Sequence, residues 1–296
     1  MADRATLEHG TAAPSRAGDI VDVAGLWFWY EGGPPVLRGL DLRVPAGQLL
    51  ALVGANGSGK TTLVKHLNGL LRARRGMVRV AGLDAARHPV GEMARQVGFL
   101  FQHPEQQIFA ATVEQEVAFG PRNLGLPAGE VRERVAAALA RFELEPAAAR
   151  PPAILGYGLR RKVTLASLAA MDPPVLVLDE PTVGLDAHGR REMLAWVAEL
   201  HGLGRTIVLV THDMGLVARC AERVVVLHAG EILGDGPPGA VFRDEALLAR
   251  ASLAPPPVVA LARALQSSGF RGAGLTVEAF CDEYAALAGE NREPAL

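Results

Sequence analysis

Three short stretches carry residue types that can manage a phosphate. The first reads Gly54-Ala55-Asn56-Gly57-Ser58-Gly59-Lys60-Thr61-Thr62, which fits G-x-x-x-x-G-K-[ST], the spacing of a phosphate-cradling loop. The apolar run QLLALV before it and the helical run TTLVKHLNGLL within and after it supply the strand–loop–helix setting that motif requires. Gly54, Gly57 and Gly59 allow backbone N–H groups to face an anion, and a helix N-terminus adds a favourable dipole. Lys60 is placed for the β- and γ-phosphates and the Thr61 hydroxyl for Mg²⁺. The second stretch, VLVLDE at 175–180, ends an apolar strand in two carboxylates. Asp179 is suited to hold the magnesium, and Glu180 to take a proton from an attacking water as general base. The third is His212 after TIVLVT, which emerges at the carboxyl edge of a sheet, where ligands of α/β proteins bind. There it can sense a γ-phosphate. The three stretches together read as a nucleoside triphosphatase. The other histidines are scattered without ligand spacing and support no transition-metal site.

The elements that must position these residues follow from periodicity. IVDVAGLWFWY and LRGLDLRV read as strands around a Gly-Gly-Pro-Pro turn, and GMVRVAG and VGFLF as two more. VRERVAAALARFEL keeps a helical period, as does GRREMLAWVAELHGLG between the two apolar strands. Apolar strands alternating with helices predict a parallel sheet covered on both faces, and RVVVLHAGEILGDG reads as a hairpin closing the core. Residues 1–18 read as a flexible tail, 19–236 as the main domain with a helical subdomain over about 103–170, and 237–296 as a small C-terminal annex bearing two amphipathic helical patterns. With 296 residues and 49% hydrophobic content, the chain can bury a sizeable core. Its formal net charge of −2 offers no bulk attraction for nucleic acid or anionic lipid. No stretch reaches the ~20 apolar residues of a spanning helix. The N-terminus lacks the apolar region of a signal peptide, and Cys220 and Cys281 are too few for a disulfide framework, so both read as reduced thiols in a cytosolic protein.

At this point the chain resembles the ATP-binding-cassette ATPases over about residues 19–240. The phosphate loop, Asp179-Glu180-Pro181-Thr182, Gly184-Leu185-Asp186 and His212 stand in that family's order. The resemblance implies a P-loop fold of α/β class with a RecA-like core, an antiparallel β subdomain and a helical subdomain. It implies ATP and Mg²⁺ as ligands, Tyr30 as the aromatic that stacks on adenine, and Gln102 as the glutamine that touches magnesium and water and senses a membrane partner. Stacking on Tyr30 discriminates bases weakly, so ATP over GTP is also carried by the resemblance.

The stretch FQHPEQQIFAATVEQEVAFGPRNLGLP is similar to the ATPases of energy-coupling-factor importers, cobalt and nickel systems included, and the PPP-VVALARAL annex resembles theirs. What this implies is hydrolysis coupled to uptake of a metal ion or vitamin, at the cytoplasmic face of the membrane. The partners would be a membrane-embedded scaffold subunit, a substrate-specificity subunit and a second ATPase subunit, with the annex aiding that pairing. Two other classes stay open: a soluble ATP-dependent switch, and a regulatory cassette with little turnover. A single cassette, near-neutral charge and no long basic insertion weigh against a switch on nucleic acid. One departure stands out. Where the family carries LSGGQ at a helix start, this chain carries Leu155-Gly156-Tyr157-Gly158-Leu159. The serine hydroxyl is absent at 156, and Tyr157 replaces a glycine where backbone would approach phosphate. A heterodimer with a paralogue bearing an intact signature is therefore expected over a homodimer.

Overall fold

The structure, a computed structural model, describes residues 18–102, 107–268 and 270–290. The expected tail up to residue 17, residues 103–106 at the start of the expected helical subdomain, and the annex's last six positions lie outside the described residues. Two sheets form the framework. β1 (Asp19–Trp29), β2 (Pro35–Pro45), β4 (Arg75–Val80) and β5 (Leu83–Asp84) make an antiparallel sheet in the order β2-β1-β4-β5. The larger sheet runs β10-β9-β3-β8-β7-β6, with β3 (Leu49–Val53), β6 (Val97–Leu100), β7 (Val175–Asp179), β8 (Thr206–Val210) and β9 (Arg223–His228) parallel. β10 (Glu231–Gly236) turns back antiparallel to β9. The two-residue turn between them, Ala229-Gly230, has positive φ at both positions, the mirror-image turn that suits the twist of a hairpin.

Strand period sorts the core. Leu50, Leu52, Val177, Val208, Val210, Val225 and Leu227 pack toward the antiparallel sheet, α1 (Lys60–Leu67) and the single turn α2 (Val90–Met93). The alternate residues Leu176, Leu178, Ile207 and Leu209 pack against α3 (Val113–Asn123), α4 (Ala128–Arg141), α5 (Tyr157–Met171) and α6 (Ala187–Gly202). Ala51, Val53, Val224 and Val226 meet α7 (Met214–Cys220), α8 (Pro238–Arg243), α9 (Glu245–Arg250) and α10 (Pro257–Ala264). Every residue of β3, β7 and β8 is buried, which is why these strands read as continuous apolar runs rather than alternating ones. One face is covered by helices and the other largely by a second sheet. Past residue 237 the annex holds three short helices, α8 to α10, and the longer α11 (Val277–Glu290), which an Arg219–Glu278 ion pair ties to α7.

Candidate active site

The chain order of the big sheet decides where chemistry can occur. β3, β8 and β7 are adjacent and parallel, so their carboxyl ends lie side by side and deliver the phosphate loop, Thr211-His212 and Asp179-Glu180 to one edge. The loop's glycines are required by space as well as by backbone angle. A Cβ at Gly54 would stand 2.2 Å from the Leu227 carbonyl oxygen, and one at Gly59 2.8 Å from Leu37 Cδ2, with φ of +155° and +105°. At Gly57 only the positive φ matters, since the space beside it is open. The loop is braced by Ser58 N–H donating to Ala55 O and by Gly230 N–H donating to Ser58 O. Ser58 Oγ is buried with no hydrogen-bond partner among the described residues. A buried hydroxyl without a protein partner is rare enough to call for an explanation. Asn56 is exposed and Ala55 half-buried at the loop's rim.

Thr61 Oγ1 donates to Asp179 Oδ2 at 3.0 Å across 118 residues of sequence. Burial pushes the Asp179 carboxyl upward, with Thr61 and Lys60 acting in the opposite direction. Lys60 Nζ donates to the carbonyls of Gly54 and Ala55 at 2.8 and 3.0 Å. Burial lowers its pKa, offset in part by Glu180 and Asp179. Glu180 Oε1 lies 2.6 Å from His212 Nδ1, and Thr211 Oγ1 donates to Glu180 Oε2 at 3.1 Å. A carboxylate oxygen so placed accepts from Nδ1 in the tautomer that carries its proton there. His212 itself stays open, its side chain 66% exposed. Tyr30 is 47% exposed at the end of β1, edge-on to Phe28, with its hydroxyl 3.3 Å from Thr62 Oγ1. Gln102 sits two residues past β6, at the same carboxyl edge of the sheet, and makes no hydrogen bond to Thr61 or Asp179 among the described residues. Lys60, Thr61, Asp179, Glu180 and His212 thus share one cleft edge, with Tyr30 at its side. Sequence reasoning passed over Thr211, although its place between an apolar strand and a histidine was a usable signal. It also passed over Arg161, whose neighbours in RRK gave no such signal.

Comparison with known proteins agrees with this geometry. The ABC transporter family profile matches residues 37–183. The energy-coupling factor transporter ATP-binding protein EcfA of Methanothermobacter thermautotrophicus is 39% identical over 273 residues, which cover 91% of this chain and 88% of that protein. The chain belongs to the energy-coupling factor transporter ATP-binding proteins. Among solved structures, cbiO1 of Clostridium perfringens, described as part of the ABC transporter complex cbiONQ, superposes with a TM-score of 0.69. It is 34% identical and covers 82% of this chain and 98% of that one. A dimeric ATP-binding cassette in a post-hydrolysis state with ADP and phosphate superposes at 0.64, with 25% identity over 73% of this chain and 98% of that one.

This ATPase departs from its family's pattern at the start of α5. Gly156 is the helix N-cap, without a side-chain hydrogen bond, at φ −62° and ψ 160°. A Cβ at Gly156 or Gly158 would meet nothing within 4 Å. Leu155 is buried, whereas Ile154, Tyr157 and Leu159 are exposed. The Tyr157 ring, expected to crowd an approaching phosphate, lies over Gly184, where an added Cβ would come within 2.7 Å of its Cε1. Elsewhere, Phe99, Phe101, Phe109, Phe119, Leu70 and Val90 line a groove of about 290 Å³ between the sheet and α3, with Phe109 65% exposed.

Proposed function

We propose that this ATPase hydrolyses ATP between its own phosphate loop and the α5 start of a second ATPase subunit, energising uptake through membrane-embedded partners. Ligand fit comes first. The buried orphan Ser58 Oγ and the glycine-shaped loop favour a triphosphate. The hydroxyl and carboxylate oxygens of Thr61 and Asp179, already 3.0 Å apart, are the donor set of a hard cation. Thr61 and Asp179 would hold Mg²⁺, with Gln102 approaching from β6; the ion, when bound, would neutralise charge developing on the phosphates.

The chain's own residues do the rest. Lys60 exchanges its bonds to the Gly54 and Ala55 carbonyls for phosphate oxygens. Glu180, its two oxygens engaged by His212 and Thr211, keeps further lone pairs with which to accept a water's proton. With Nδ1 donating to Glu180, His212 would bond a γ-phosphate oxygen through Nε2 as an imidazolium, the form in which both ring nitrogens donate. Tyr30 offers an exposed ring to a base.

The observation that carries the reading is the Glu180–His212–Thr211 cluster beside the Thr61–Asp179 pair at the mouth of three adjacent strands. The exposed aromatic groove suits an apolar helical segment of a membrane scaffold subunit, and the cargo of such an importer, a metal ion or vitamin, would be chosen by its specificity subunit. No helix among the described residues is long and apolar enough to cross a membrane, which suits a peripheral subunit. At α5 a pairing partner meets no serine hydroxyl, so the heterodimer gives one complete site and one weak one. The annex, with Phe270, Phe280 and Tyr284 clustered on it, is read as support for that pairing. The test measures ATP turnover by this chain alone and with its candidate paralogue. Robust cooperative turnover by this chain alone, unchanged by Gly156→Ser, would sink the asymmetric pairing.

A further inference from the structure

Between the Glu180 loop and α5 lies a set of contacts that the reading above does not use. Arg161 stands two residues past the motif Leu155–Leu159, yet it is only 1% exposed. Its guanidinium runs under the loop that follows β7. Nη2 donates to Glu180 O at 2.9 Å, and Nη1 donates to Val183 O at 3.2 Å. Tyr157 is one helical turn earlier on the same face of α5. Its hydroxyl makes a long hydrogen bond to Val183 O at 3.4 Å and accepts from Arg161 Nη1 at 3.3 Å. The same ring lies across Gly184, where it leaves no room for a Cβ and where the φ of +75° independently favours glycine. Glu180 itself has φ +50°, a left-handed backbone that a non-glycine residue keeps only when its surroundings impose it. The impositions are visible: its N–H donates to Val210 O at 2.8 Å, its carbonyl is held by Arg161, and its two carboxylate oxygens by His212 and Thr211.

We propose that Arg161 and Tyr157 are positioning residues for hydrolysis. They fasten the 180–184 loop to the first turns of α5, so that the Glu180 carboxylate keeps its place only while α5 keeps its own. A planar guanidinium reaches two carbonyls three residues apart from separate nitrogens of one rigid fork, a spacing that a compact ammonium does not preorganise. A shift of the α5 start is thereby passed, inside one chain, to the base at the end of β7. Tyr157 then has a purpose of its own: the residue expected to crowd a phosphate instead clamps the 180–184 loop. The proposal rests on the reading of Glu180 as base, and the experiment separates the two.

The full-length chain, assembled with its ATPase partner, is compared with Arg161→Lys, Arg161→Met, Tyr157→Phe and Glu180→Gln. The readouts are kcat, KM for ATP and amide hydrogen exchange over 180–186. Arg161→Met should lower kcat about 10- to 100-fold, the scale of a displaced catalytic group. KM should stay within about twofold, because ground-state binding is untouched. Arg161→Lys should fall between it and the parent, and Tyr157→Phe should cost a few-fold. Exchange at the Val183 amide, which donates to Glu180 O at 3.3 Å, should quicken in the same order. Should Arg161→Met fail to fold, Arg161→Lys and Tyr157→Phe carry the test. Parental kcat and parental exchange in Arg161→Lys overturn the proposal, as does a raised KM with kcat unchanged. If Glu180→Gln turns over normally, the base reading falls instead; if it is inactive while Arg161→Lys is normal, only the positioning role falls.

Discussion

The phosphate-loop edge and the start of α5 face the same chemistry with opposite resources. At the first, the charged side chains and the Thr61 hydroxyl are fastened: Thr61 to Asp179, Lys60 to two loop carbonyls, Glu180 to His212 and Thr211. At the second, the helix offers backbone N–H groups and a dipole but no side-chain hydroxyl, and it presents Ile154, Tyr157 and Leu159 to solvent. A preorganised site gains its rate from groups that need no rearrangement when charge develops. A bare helix terminus attracts phosphate without discriminating the transition state from the ground state. The asymmetric pairing proposed above builds on this contrast between a fastened edge and a bare helix start.

The contrast can be broken at either end. The largest effect is expected from Glu180→Gln, which removes the base while preserving shape: turnover of the assembled complex should fall ~10²–10⁴-fold, with ATP retained in a filter-binding assay. Lys60→Ala comes next and acts differently, weakening ATP binding itself by about tenfold or more, as loss of a charge-assisted contact does; calorimetric titration would read it. Gly156→Ser probes the reduced half-site. Its backbone angles are ordinary and the space is open, so the hydroxyl should be accommodated and cap α5 as well. Turnover of the chain alone should rise, by about tenfold if the hydroxyl gains one bond to a charged oxygen; no change would mean that backbone N–H groups suffice there. The smallest effect is expected from Thr211→Val, isosteric but lacking the hydroxyl bonded to Glu180 Oε2. It should slow turnover roughly fivefold, because the His212 contact to Oε1 still holds the carboxylate, with ATP affinity unaltered.

Much of this was legible in the residues, for unequal reasons. The phosphate loop and the strands of the parallel sheet announce themselves because their constraints are local: glycine where a Cβ meets the Leu227 carbonyl, and apolar runs where both faces are buried. The alternation that sends Leu50 one way and Ala51 the other also follows from strand period alone. What covers each face does not. Nothing in VRERVAAALARFEL says that its helix lies over the face opposite the antiparallel sheet, because that is decided by packing between distant segments. The annex shows the same limit: its two helical patterns are α10 and α11, whereas α8 and α9, opened by Pro238 and Asp244, gave no readable period. Arg161 was hidden for a related reason. In sequence it is the middle cation of RRK, a composition that suggests a solvated helix face, and only the path of the Glu180–Gly184 loop brings two carbonyls to it.

The hairpin turn Ala229-Gly230 has a consequence for how the molecule is made. Its glycine donates to Ser58 O, and the strand before it supplies the Leu227 carbonyl that excludes a Cβ at Gly54. The phosphate loop leaves a ribosome some 170 positions ahead of the residues that form its floor. Domains fold as units during synthesis, with non-local pairings last. A nascent chain halted before Arg223 therefore carries the full motif without the support that shapes it. Protection of such chains against protease by ATP should begin only once the hairpin has emerged, so that capture of the nucleotide doubles as a signal that the core is closed.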